Sequence, residues 1–73
     1  MNKNLAAIIQ AEPPGFVALC PQIDVASQGD TIEESLANLR EAVELFYECA
    51  SPAEVASREN ETVFITQLEV SLG

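Results

Sequence analysis

Thr31-Ile32-Glu33-Glu34-Ser35-Leu36-Ala37-Asn38-Leu39-Arg40-Glu41-Ala42-Val43 opens with a capping box. The Thr31 hydroxyl can accept the Glu34 backbone N–H while the Glu34 carboxylate reaches back to the start of the turn, so a helix begins here. Ile32, Leu36, Leu39, Val43, Phe46 and Ala50 follow at steps of four, three, four, three and four. At about 100° per residue they fall on one narrow arc, which is the face expected to meet the core. Ser51-Pro52 stops the helix, because the residue before a proline is pushed out of the helical region.

Upstream, Leu5 to Ala11 is apolar at odd and even positions alike, which predicts a strand covered on both faces. Pro13-Pro14-Gly15 supplies a turn, and Phe16 to Cys20 resumes an apolar run, so the pair reads as a hairpin. Pro21 ends that run by removing a ladder donor, and Val25 to Gln28 gives a third, weaker strand closed by Gly29-Asp30. Downstream, Ala53 to Glu61 reads as a polar connector with room for a short turn of helix. Thr62 to Leu72 predicts a last strand whose more apolar side is Phe64, Leu68, Val70 and Leu72. The expected architecture is α+β: a three-stranded antiparallel sheet, one crossover helix and a fourth strand, in the order β-β-β-α-β, with the last strand parallel to a sheet member. One helix covers one sheet face, which leaves the other as a candidate interface for a homodimer or higher homo-oligomer. Leu45, away from the core arc, points the same way.

Seventy-three residues allow one domain, expected to span residues 1–73, with no separate DNA-binding domain. Hydrophobic residues make up 48% and charged ones 21%, which is the balance of a folded chain. Three Lys plus Arg stand against twelve Asp plus Glu, a formal net charge of −9. Lys3, Arg40 and Arg58 cannot form a basic face, so direct nucleic-acid binding and docking on anionic lipid are not expected. The N-terminal apolar run, interrupted at Gln10, is too short for a secretory signal or a membrane span, and a cytoplasmic location is expected.

Glu33, Glu34, Glu41, Glu44 and Glu48 share one flank of the helix. The pairs Glu41/Glu44 and Glu44/Glu48 are at like-charge spacings, each costing roughly 0.2–0.5 kcal/mol. A solvated helix face is the ordinary explanation; a docking surface for a basic protein is the functional one. Glu33, Glu41, Glu44 and Glu48 are the candidate protein-binding residues. No catalytic, metal or cofactor site is expected. The chain has no His, Cys20 and Cys49 lack zinc-site spacing, and no nucleophile lies beside a base. Glu12, Asp24, Asp30 and Glu69 fall at turns or strand ends, where solvation, turn formation or capping is the expected role.

The run Gly15-Phe16-Val17-Ala18-Leu19-Cys20-Pro21, followed by Ser27-Gln28-Gly29-Asp30-Thr31 through Ala42, resembles the N-terminal domain of HicB-family antitoxins. The likeness spans roughly residues 5 to 70, and Gln28 to Ala42 is its most specific part. It implies a partial RNase H-like fold without the nuclease carboxylates, and a partner: HicA, a small basic mRNA-cleaving toxin that such antitoxins neutralise by covering its active site. Many HicB proteins carry a further DNA-binding module. Gly29, Thr31 and Asn38 mark the family and are expected to serve turn, cap and packing. The chain is thus expected to be a non-enzymatic antitoxin-like binder. An orphan homo-oligomeric module is one alternative, and a residual Mg²⁺-dependent nuclease using Glu12 or Asp24 is another.

Overall fold

The structure is a computed structural model and describes residues 3–59 and 63–73. Pro13 and Pro14 turn the chain between β1 (Ile8–Glu12) and β2 (Gly15–Cys20), with Glu12 opposite Gly15 and Ile8 opposite Leu19. A second turn leads into β3 (Val25–Gly29), and the three strands form an antiparallel sheet in the order β1-β2-β3. The left-handed backbone at Asp24 (φ 54°) makes that turn, a conformation Asp tolerates better than most residues. The α+β class and the antiparallel sheet are those the sequence predicts.

The first strand is shorter than the apolar run that announced it. Continuing the register would bring Ala6 opposite Pro21, which has no N–H to give, so the ladder stops at Ile8. The Ala6 N–H instead donates to Gln22 Oε1 (3.2 Å).

Helix α1 (Ile32–Cys49) begins and ends where its punctuation says. The Glu34 N–H donates to Thr31 Oγ1 (3.0 Å), but the Glu34 carboxylate reaches one residue beyond the cap and accepts from the Asp30 N–H (3.2 Å). Asn38 Nδ2 donates to the Gln28 carbonyl (2.8 Å), tying the second turn of α1 to β3. Gly29, expected at a turn, closes β3 and serves close approach instead. A Cβ there would lie 2.5 Å from the Ser35 nitrogen, so only glycine lets the end of β3 pass under the first turn of the helix.

The core consists of Ala18, Cys20, Ile23 and Leu39, with Leu5, Ile9, Val25, Val43, Phe46 and Tyr47 packed around it. Helix α1 rests on β3 and β2 and hardly touches β1. Two members of the expected core arc are therefore open: Ile32 is 46% and Leu36 38% exposed. The buried position in the first turns belongs to Ser35, whose hydroxyl donates to the Ile32 carbonyl (2.8 Å) and so satisfies itself locally.

Two differences from the sequence reading lie beyond α1. The expected connector forms a true helix, α2 (Pro52–Glu59), started by Ser51, whose Oγ accepts the Glu54 N–H (3.1 Å). The expected fourth strand is not part of the sheet. Thr62 and Glu61 fall outside the described residues, and 63–73 carry no strand pairing, with every residue from Phe64 onward exposed.

Candidate functional site

All four candidate residues, Glu33, Glu41, Glu44 and Glu48, are exposed on α1, turned away from the buried Leu39 side. The structure gathers three of them. Glu41, Glu44 and Glu48 line one shallow depression together with Leu45, which is 56% exposed. Glu33 sits two turns nearer the N-terminus and is not part of it. Its neighbour Glu34 is occupied by the cap. A surface of three carboxylates around one exposed leucine can offer a cationic side chain both charge and a place for its methylene stem.

The cations of the chain do little to quench this surface. Lys3 is paired with Glu59, and its ammonium lies 5.1 Å from the centre of the Tyr47 ring. Arg58 donates from Nη1 to the Ile23 carbonyl (2.6 Å) and stacks over Phe46, 5.4 Å from the ring centre. Arg40 is exposed on α1 and borders the groove on the β1 side of the helix. Among the described residues, no ion pair involves Glu33, Glu41, Glu44 or Glu48. The last turn of α1 contains no basic residue, so Glu48 also faces the negative end of the helix dipole.

A second cluster escaped the sequence reading. Tyr47, on α1, donates its hydroxyl to Glu59 Oε2 (2.6 Å), and Glu59 also receives Lys3, so one carboxylate joins the N-terminal segment, α1 and α2. Burial, and then the hydrogen bond to Glu59, push the Tyr47 phenol up to about 12. Hydrogen bonds from Lys3 and Tyr47 hold Glu59 below the usual carboxylate range. Lys3 and Glu59 are 56 positions apart, and no local spacing could have joined them. The start of α2 was legible: Ser51-Pro52-Ala53-Glu54 has an N-cap serine, proline at the first helical position and glutamate three residues after the cap.

The carboxylates considered for metal chemistry are separated. Glu12 closes the hairpin at one end of β2, and Asp24 stands in the turn after its other end, six strand residues or roughly 20 Å away. Among the described residues, no three His, Cys, Asp or Glu side chains gather as a metal-binding group. None of the described helices is long and apolar enough to cross a membrane.

Sheet, helix and surface together define a class: a small acidic α+β domain with an exposed anionic flank on its long helix. Over 50 residues the chain is 48% identical to the UPF0150 protein ssl0738 of Synechocystis sp., a match that covers 66% of this chain and 69% of that protein. It belongs to the UPF0150 family. No family model and no solved structure matches it.

Proposed function

We propose that this chain is a cytoplasmic, non-enzymatic protein-binding module of antitoxin type, which docks a small basic partner on the α1 flank of Glu41, Glu44 and Glu48, with Glu33 extending the field. The observation that carries the reading is the shallow depression those three carboxylates share with Leu45, with no ion pair to any of them among the described residues. Like charges at helical spacing cost stability, and a flank that keeps them beside an exposed leucine has the form of a binding surface. The likeness of Gln28 to Ala42 to HicB antitoxins supports a partner of HicA type, a basic mRNA-cleaving toxin whose RNA-binding surface an acidic protein complements. Co-purification from the native host tests it. A small basic protein should accompany the chain, and its RNA cleavage should stop when the complex forms; absence of any such protein refutes the reading.

A second reading is self-association, with or without a toxin partner. It is favoured by Ile8, which is 41% exposed, and by the open groove between β1 and α1.

A further inference from the structure

The C-terminal segment and the edge of the sheet carry complementary unfinished surfaces. Among the described residues β1 is an edge strand paired with β2 alone, so one side of its backbone is open to another strand. Beside it, between Leu5–Ala7 and α1, runs a groove of about 750 Å³ whose apolar wall includes Leu5, Leu36, Leu39 and Val43. Leu36 contributes to this wall while 38% exposed, so the helix face that should close on a core is only partly closed.

The tail has the opposite defect. Phe64, Leu68, Val70 and Leu72 fall on the even-numbered side, interrupted by Thr66, and are 87%, 85%, 61% and 90% exposed; Ile65, on the other side, is also exposed. Such a row is expected on a strand that faces a core, and in water it is an exposed apolar patch that calls for cover. None of residues 63–73 lines the groove. The chain is accordingly long, 49 × 28 × 18 Å, with a radius of gyration of 14.3 Å. A folded chain of this length would have about 11 Å. The tail is long enough to cover the edge: nine residues from Phe64 to Leu72 span about 30 Å as a strand, against about 17 Å for the five residues of β1, with Leu5–Ala7 continuing beside the groove.

We propose that the segment Phe64–Leu72 of a second copy adds as a strand to the free edge of β1, its alternate apolar side chains filling the groove under α1, in a reciprocal dimer in which each copy completes the other. A twofold axis makes both contacts identical and leaves no further tail or groove open, so the assembly closes at two. Backbone pairing supplies affinity, and turning the tail's more apolar side towards the groove fixes the register. The proposal rests on the self-association reading above and specifies the segment that performs it; it does not depend on the toxin reading.

The test begins with the solution mass of the wild-type chain and hydrogen exchange of its tail. A dimer is expected, with tail amides exchanging about a hundredfold or more slower than in an unstructured peptide. Leu68→Asp spoils the tail but leaves the groove, and Leu36→Asp spoils the groove but leaves the tail. Each variant should be a monomer with the helical circular dichroism of the wild type. Mixed, they should form a heterodimer through the one intact tail and the one intact groove. A monomeric wild type overturns both this proposal and the self-association reading, including a monomer whose tail is protected by its own sheet. A dimer with an unprotected tail, or variants that stay monomeric when mixed, overturns strand exchange alone.

Discussion

Replacing Glu41, Glu44 and Glu48 together by Gln should make the protein more stable. The triple substitution removes the Glu41/Glu44 and Glu44/Glu48 repulsions, worth roughly 0.4–1 kcal/mol together. It also removes a carboxylate from the last turn of α1, where no basic residue offsets it, which adds about 0.3–0.5 kcal/mol. Glutamine keeps the side-chain length and nearly the same helix propensity, so the difference reports charge. Losing the Arg40/Glu44 attraction one turn apart takes back roughly 0.2–0.5 kcal/mol, so the net of about 0.2–1.3 kcal/mol corresponds, for a chain of this size, to a rise in Tm of roughly 1–10 °C. The assay is thermal unfolding followed by helical circular dichroism, in low salt and again at about 1 M salt, where a Debye length of about 3 Å should erase most of the gain. Such a gain means that the flank is retained at a cost, as expected of a surface kept for a partner. An unchanged or lower Tm in low salt would refute the reasoning, because the carboxylates would then be neutral or stabilising where they stand.

Further outcomes follow from the other contacts. Tyr47 is the chain's one tyrosine, so phenolate absorbance reports it alone, and it should titrate near 12. Because the folded phenol is raised above its ordinary value of 10, its contribution is complete below pH 10 and should be lost as the pH climbs towards 12; Tyr47→Phe should remove that alkaline dependence. Glu59 has the opposite sign, held low, so its contribution is present above the ordinary carboxylate range and should fade as the pH drops below it. An acid limb shallower in Glu59→Gln than in wild type checks this. Thr31→Ala should cost about 1 kcal/mol in urea unfolding by removing the N-cap, and Thr31→Asp should restore most of it. Gly29→Ala should cost about 1–3 kcal/mol, since its Cβ meets the helix backbone at Ser35 and the first turn must shift.

The parts of the fold written in local grammar were the parts the sequence disclosed. Thr31 and Glu34 cap α1, Ser51-Pro52 ends it, and Pro13-Pro14-Gly15 makes the hairpin, each through an interaction spanning a few residues. Asn38 does the packing work expected of it, while Gly29, expected to serve a turn, serves the close approach of β3 to α1. What was not legible depends on the placement of α1 across the sheet. The six-residue arc from Ile32 to Ala50 is real as a pattern, but a helix sitting over β2 and β3 buries Leu39 and leaves Ile32 and Leu36 open, and periodicity does not choose between strands. The tail shows the same gap. Its alternation marks a strand, yet alternation cannot say which sheet, or whose, it joins. In the candidate surface, the helical wheel found all five carboxylates of the flank. It could not tell that Glu34 is spent on the cap, or that Glu33 stands apart from the three that line the depression with Leu45.

The most direct measurement takes any small basic mRNA-cleaving protein that co-purifies with the chain and determines its affinity as a function of salt, with the Glu41→Gln, Glu44→Gln, Glu48→Gln triple variant alongside. The account expects a stoichiometric complex in which RNA cleavage is suppressed. Raising salt should weaken it steeply, and the triple variant should bind about tenfold or more weakly at low salt. Equal affinity of wild type and variant at low salt, or the absence of any basic partner, would contradict it.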